Sequence, residues 1–233
     1  MNVVITGASR GLGKAMAEKF GANNYNLYLT SRSDILLYKT VEEFQHRFPQ
    51  ITIKAKAFDL SVKSGAVDFA NWILSTEISV DILINNAGTF LPGGVADEED
   101  GVLEKMIETN LYSAYHVTRI LLTRLLQQKK GHIFNLCSIA SLKAYKNGGS
   151  YSISKFALAG FSKNLREELA PYGIKVTAVY PGAAYTDSWS ASGVDAIRLM
   201  KANDVAEMVF AASQLSPQAC VEDIILRPQL GDL

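Results

Sequence analysis

The feature that most constrains this chain is a regular alternation of short, β-branched apolar runs with longer helical patterns. Strand-like runs fall at 2–6, 26–31, 51–57, 80–85, 131–137, 174–180 and 222–227. Helical periodicity fills the intervals near 11–22, 35–47, 62–76, 98–129, 150–172 and 203–213. Strand–helix alternation of this kind predicts a parallel sheet joined by right-handed crossovers. Runs such as Ile82-Leu83-Ile84 and Val176-Thr177-Ala178-Val179 carry no polar alternation. That is the pattern of strands covered on both faces.

The expected fold class is therefore α/β: a Rossmann-type, doubly wound parallel sheet of about seven strands with helices on both faces. No Pro/Ser-rich linker, repeat or low-complexity tract interrupts the series, so residues 1–233 read as a single domain. The stretch 98–129 is expected to be one long or broken helix, and 183–202 breaks the alternation as a segment over a site.

Charge excludes some partners. Lys+Arg and Asp+Glu both number 23, and no long basic block appears, which argues against nucleic acid or an anionic membrane. Cys137 and Cys220 are too few for a disulfide framework and lack metal spacing, so no metal is expected; Cys137 sits in an apolar run as a buried thiol. The N-terminus, Met1-Asn2-Val3-Val4-Ile5-Thr6-Gly7, reads as a strand entering a turn rather than a signal peptide. The most apolar helical stretch, 120–126, is far below the ~18 residues that span a bilayer. The expected compartment is the cytoplasm.

The first strand runs into Thr6-Gly7-Ala8-Ser9-Arg10-Gly11-Leu12-Gly13 and then a helical run. Glycines at this position let the backbone turn tightly and approach a pyrophosphate, whose charge a helix N-terminus stabilises. The spacing is Gly-x-x-x-Gly-x-Gly rather than Gly-x-Gly-x-x-Gly, but its place between strand and helix points to a dinucleotide. The second strand ends Leu29-Thr30-Ser31-Arg32, with no acid before Arg32 to bind a ribose 2′-hydroxyl. Arg32, with Arg10 from the glycine loop, matches a 2′-phosphate instead, despite nearby Asp34. The cofactor expected is NADP, with NADPH preferred over NADH.

Tyr151 and Lys155 are four apart at the start of a helical run and share its face, roughly 5–6 Å apart at Cβ. A free phenol titrates near pH ~10 and is a poor acid at neutrality. Bringing it to neutrality takes roughly 4 kcal/mol, which the Lys155 ammonium and the charge of an oxidised nicotinamide would share. Ser138 ends the fifth strand, on the edge where open α/β sheets bind ligands, and its hydroxyl is placed to hold a carbonyl oxygen beside the phenol.

Taken together, the chain resembles the compact single-domain branch of the short-chain dehydrogenase/reductase family. The matches are Thr6-Gly7-x-x-x-Gly11-x-Gly13, Asp59, Asn85-Asn86-Ala87-Gly88, Asn110, Ser138, Tyr151-x-x-x-Lys155 and Pro181-Gly182-x-x-x-Thr186, in family order over about 180 residues. The resemblance implies that Thr6 to Gly13, including Gly7, Ser9, Gly11, Leu12 and Gly13, hold the pyrophosphate. Asp59 and Leu60 would contact the adenine, and Asn86, Ala87 and Gly88 the adenosine ribose side. Pro181, Gly182, Ala184 and Thr186 would position the nicotinamide. Lys155 would bind the nicotinamide ribose and lower the pKa of Tyr151. Asn110 would kink the long helix and carry a water-mediated relay to Lys155. The catalytic set would be Asn110, Ser138, Tyr151 and Lys155.

The implied activity is NADP(H)-dependent hydride transfer to a small or medium carbonyl, or from a secondary alcohol, with Tyr151 as acid/base. Phe90, Leu91, Ala140, Tyr145, Tyr185 and Trp189 are candidates for an apolar substrate pocket. Two alternatives stand beside it: a 3-oxoacyl-thioester reductase of lipid synthesis and a non-catalytic cofactor-sensing regulator. The C-terminal run Arg227-Pro228-Gln229-Leu230-Gly231-Asp232-Leu233 lacks the Asp-Gly-Gly ending common among oxoacyl reductases, which weighs against the first. A complete catalytic set weighs against the second. A homodimer or homotetramer is expected by family analogy, through helices 98–129 and 150–172.

Overall fold

A computed structural model describes residues 1–186 and 193–233. The elements, in order, are β1 (Asn2–Thr6), α1 (Gly11–Ala22), β2 (Asn26–Thr30), α2 (Asp34–Arg47), β3 (Ile53–Ala55) and α3 (Lys63–Ser75). They continue with β4 (Ile82–Asn85), α4 (Val102–Ile107), α5 (Ser113–Gln128), β5 (Gly131–Leu136), α6 (Gly149–Leu169) and β6 (Ile174–Pro181). Then come β7 (Ala184–Tyr185), β8 (Met200–Lys201), α7 (Ala202–Ser213) and β9 (Asp223–Leu226).

Seven strands form one parallel sheet in the order β3-β2-β1-β4-β5-β6-β9. Two apolar layers sandwich it, and the pleat decides which residue enters which. Val3 and Ile5 of β1 join Phe20, Phe44 and Val209 on one face, while Val4 joins Phe69, Leu121 and Leu165 on the other. In β4, Ile82 and Ile84 likewise face one layer and Leu83 the other. Side chains alternate across a strand, so covering both faces requires apolar residues at consecutive positions. Phe20, Phe44 and Phe69 are fully buried, and each contributes roughly 1.5–3 kcal/mol of transfer free energy.

The boundaries differ from expectation where packing is thin. The third strand shrinks from 51–57 to three residues, because it lies at the sheet edge and its pattern is half-exposed. The stretch 98–129 is broken: α4 and α5 are separated by a π turn, Glu108–Tyr112. Within 183–202, β7 and β8 pair as a two-stranded ribbon. Trp189 lies outside the described residues.

The strand order reverses between β1 and β4, and a crevice forms at the carboxyl ends of strands at such a switch point. Gly7, Arg32, Asp59, Asn86 and Ser138 all follow strand ends on that same rim.

Candidate active site

The glycine turn after β1 is specified by close backbone approach. Gly7 and Gly11 adopt φ of +66° and +55°, left-handed values that suit glycine. A Cβ on Gly13 would stand 2.2 Å from the Gly7 carbonyl oxygen and 2.4 Å from Asn86 Nδ2. The helix and the turn can close this tightly only without a side chain there.

Asn86 locks the turn from the neighbouring strand. Its side-chain amide donates to the Thr6 and Gly7 carbonyls at 2.9 and 3.0 Å. The backbone amides of Asn86 and Ala87 both donate to the Thr6 hydroxyl at 2.9 Å. The Asn86 side-chain Nδ2 is thus committed to the glycine turn itself.

Arg10 caps α1 with extended backbone and makes no side-chain cap bond; the first turn of α1 has no acidic residue. A helix N-terminus of this kind favours an anion. Thr40 of α2 donates to the Ser9 carbonyl at 3.1 Å, fastening the loop that carries Arg10. Arg32 and Asp59 follow the next two strands. The Asp59 carboxyl is held below its ordinary range chiefly by the Ser61 hydroxyl, with Arg32 adding attraction. Leu60 beside it is buried. A Cβ on Gly11 would meet Thr186 at 3.3 Å, so the stretch from the end of β6 through β7, with Pro181, Gly182 and Ala184, leads to the glycine turn. The Gly182 amide donates to the Leu226 carbonyl at 2.7 Å and anchors that loop to β9.

The second cluster gathers around the start of α6. Ser138 sits just past β5 and begins a 3-10 turn, Ile139–Ser141. Its hydroxyl oxygen accepts from the Ala140 amide at 3.1 Å, while its own amide donates to the Ser141 hydroxyl at 3.2 Å. With that oxygen fixed by a backbone amide, the hydroxyl proton is left to donate outward. Burial pushes the Tyr151 phenol up to about 12, and Ser138, within hydrogen-bonding reach, pulls the other way.

Lys155 is buried, and its Nζ donates to the Leu136 carbonyl at 2.7 Å. It lies 5.8 Å from the centre of the Tyr151 ring. Burial pushes this lysine down to about 8. The attraction between the two groups is therefore not what sets the Tyr151 pKa in the protein alone; loss of water is.

Asn110 is at the π turn, a device often found at functional sites. Its carboxamide clasps the backbone of Thr89, accepting from the amide at 2.7 Å and donating to the carbonyl at 3.0 Å. It also donates to Ser154 Oγ at 2.9 Å, and Ser154 donates to the Tyr151 carbonyl at 2.7 Å. A Cβ on Gly88 would lie 3.0 Å from Asn110 Oδ1 and 3.4 Å from Lys155 Nζ, so these three converge. The structure thus brings Asn110, Ser138, Tyr151 and Lys155 together at the same rim as the glycine turn. Thr89 and Ser154 were not foreseen as links. Ser154 lies inside the Tyr151–Lys155 spacing, yet nothing in the sequence pairs it with Asn110, 44 positions away.

Of the expected pocket residues, Phe90 packs edge-to-face on Tyr151 with ring centres 4.9 Å apart. Ala140 is buried beside Ser138, while Leu91, Tyr145 and Tyr185 are exposed. A cavity of about 450 Å³ lies alongside, lined by Val95, Tyr145, Asn147, Ile153 and Phe156 among others. It includes neither Ser138 nor Tyr151, so the reacting groups lie outside it. Cys137 is buried, and burial pushes its thiol up to about 11. Among the described residues no His/Cys/Asp/Glu group is placed to hold a metal ion, and no helix is long and apolar enough to cross a membrane.

The chain is similar to several known proteins. The chain is 29% identical over 211 residues to a diacetyl reductase [(S)-acetoin forming] of Staphylococcus epidermidis, covering 90% of this chain and 81% of that one. It is 30% identical over 240 residues to a sepiapterin reductase of Chlorobaculum tepidum, with 99% and 97% covered. Among solved structures, a metagenomic short-chain oxidoreductase in complex with NADP superposes with a TM-score of 0.85 at 27% identity, covering 98% of this chain and 97% of that one. The short chain dehydrogenase family model matches residues 1–196, so a glycine turn, a Ser–Tyr–Lys cluster and a seven-stranded parallel sheet meet in one chain because it belongs to the short-chain dehydrogenase family of oxidoreductases.

Proposed function

We propose that this oxidoreductase uses NADP(H), NADPH in preference to NADH, to interconvert a small or medium carbonyl and its secondary alcohol, with Tyr151 as acid/base. The observation that carries the reading is the convergence of Ser138, Tyr151 and Lys155 on the rim that also holds the glycine turn. The residues present fit a dinucleotide: the cradle at Gly7 and Gly13 admits no side chain, and the α1 N-terminus is electrostatically suited to a pyrophosphate. Arg10 and Arg32 fit a 2′-phosphate. Asp34, an acid near Arg32 in sequence that would compete for a ribose hydroxyl, accepts from the Ile35 amide at 2.7 Å in the first turn of α2. The NADP complex of a solved relative supports the same choice.

NADPH, when bound, supplies the hydride. The chain's own groups do the rest. Ser138 donates to the carbonyl oxygen and fixes its direction. Tyr151, neutral because burial disfavours phenolate, holds the proton that this oxygen acquires. The Lys155 ammonium, held by Leu136, stabilises the phenolate left behind. Asn110, through Thr89 and Ser154, keeps this geometry rather than touching the reacting atoms.

The diacetyl and sepiapterin reductase relatives act on carbonyl compounds by name, which supports a carbonyl substrate here. A homodimer or homotetramer and a cytoplasmic setting belong to the same proposal. Exposed Ile153 and Phe156 on α6 and Tyr112 ahead of α5 suit a face between copies. The test is a panel of small diketones, ketones and aldehydes, diacetyl included, followed by NADPH absorbance, with NADPH and NADH dissociation constants measured in parallel. Turnover of a carbonyl with tighter NADPH binding is expected. Tighter NADH binding, or no turnover across the panel, would overturn the corresponding part.

A further inference from the structure

Helix α6 carries Tyr151 in its first turn, yet it begins with Gly148 and Gly149 and has no side-chain cap of its own. Four amides at a helix start need acceptors, and α6 has no side-chain cap of its own to supply one. The acceptor comes from 52 positions upstream. Glu98 Oε2 accepts from the Ser150 backbone amide at 3.3 Å, and Glu98 Oε1 accepts a short hydrogen bond from the Ser150 hydroxyl. Ser150 is 1% exposed, so this carboxylate contact is sheltered on the serine side.

The chain around Glu98 is built for that contact. Gly93 pairs with Gly148 as an isolated parallel bridge, and its amide donates to the Asn147 carbonyl at 3.2 Å. A Cβ on Gly149 would stand 2.7 Å from the Gly93 oxygen and 3.0 Å from Glu98 Oε2. Asp97 and the Glu98 amide close a tight turn on Gly94, at 2.9 Å in each case. At its other end the same segment is held by Asn110 through Thr89, and between the two anchors Phe90 rests on the Tyr151 ring.

We infer that Glu98 is a positioning residue for the proposed reaction: its carboxylate caps the catalytic helix and sets where the Tyr151 hydroxyl stands relative to Ser138 and the segment 89–98. Side chains on a helix lean toward its N-terminus, so the Tyr151 ring leans toward the end that Glu98 holds. Glu98 touches no reacting atom in this account; it acts through Ser150. The inference rests on the reading of Tyr151 as the acid.

The experiment compares Glu98→Ala, Glu98→Gln and Tyr151→Phe with the native protein, using NADPH and diacetyl as probes. Hydrogen exchange of peptides covering 148–156 is measured in the protein without ligand, where no substrate is needed. Loss of one helix cap is expected to lower kcat about tenfold in Glu98→Ala, with NADPH affinity within about twofold of native. Exchange in 148–156 is expected to quicken. Glu98→Gln keeps an acceptor for the amide and a partner for the hydroxyl, and is expected to restore both readouts. If Glu98→Ala is too unstable to purify, Ser150→Ala, which removes the hydroxyl but keeps the amide, is expected to lower kcat about threefold. Native kcat and native exchange in Glu98→Ala would overturn the inference. So would a loss shared equally by kcat and NADPH affinity that Gln does not repair, the mark of a purely structural role. Tyr151→Phe separates the failures: if it turns over at the native rate, the reading of Tyr151 falls and this inference with it. If it is inactive while Glu98→Ala is native, only the role of Glu98 falls.

Discussion

The two ends of the crevice are built by different means. At the glycine turn, the Thr6 and Asn86 side chains pin backbone through bonds of 2.9–3.0 Å, and Gly13 closes on the Gly7 carbonyl with no room for a Cβ. Around Tyr151, by contrast, the neighbour is a loop side chain: Phe90 packs on the ring and is itself 41% exposed. On the proposed reading, the first arrangement fixes the part of the cofactor that lies on the turn. The second, on that reading, leaves the choice of substrate to half-open groups such as Phe90. The molecule so proposed is narrow in its cofactor and open in its substrate.

The sharpest way to break that contrast is at the tight end. Gly13→Ala would drive a methyl group into the Gly7 carbonyl, a clash no rotamer relieves. Overpacking of this kind costs roughly 1–3 kcal/mol or more. NADPH affinity measured by fluorescence titration is expected to fall at least tenfold, and unchanged binding would show that the turn is not the cofactor cradle.

A middle-sized effect is expected from pH. Lys155, pushed down to about 8, is charged below that value and neutral above it. If its ammonium supports Tyr151, kcat/KM declines as pH rises through about 8. Stability moves the other way. In the window between about 8 and the ordinary lysine value the unfolded chain binds a proton that the folded chain does not, so the Lys155 contribution to stability rises with pH. A parallel fall in melting temperature across that window would attribute the lost activity to unfolding instead.

The smallest effect belongs to the open end. Phe90→Ala removes the ring that packs on Tyr151, an aromatic pair worth about 0.5–1.5 kcal/mol. KM values across a carbonyl panel are expected to change several-fold and unevenly, while NADPH affinity holds. A uniform change would place Phe90 in the scaffold rather than the substrate wall.

The same contrast governs what could be read before any coordinates. Consecutive apolar residues such as Ile82-Leu83-Ile84 announce doubly covered strands, because no other surroundings tolerate them. The edge strand is shorter than the 51–57 run because Lys54 and Lys56 interrupt Ile53 and Ala55 at the border of the sheet, where burial no longer sets length. The long helical run 98–129 carries no hydropathy signal for its break. The break is made by Asn110 reaching Thr89, a contact between segments. The glycine turn is legible because its requirement is local: Gly7 has a positive φ, and Gly13 stands where no Cβ fits. Asn86 was expected on the ribose side, and only the fold shows its amide spent on Thr6 and Gly7. Glu98 carries no motif, since its partner Ser150 is near only once the segment 93–98 lies against the start of α6.

The central claim is that Tyr151, on the rim shared with the glycine turn, is the proton donor. The most direct measurement is Tyr151→Phe, with NADPH binding and carbonyl turnover determined on the same preparation. The account predicts native NADPH affinity with kcat reduced at least about a hundredfold, the usual contribution of a general acid. Turnover at the native rate with cofactor still bound would contradict it.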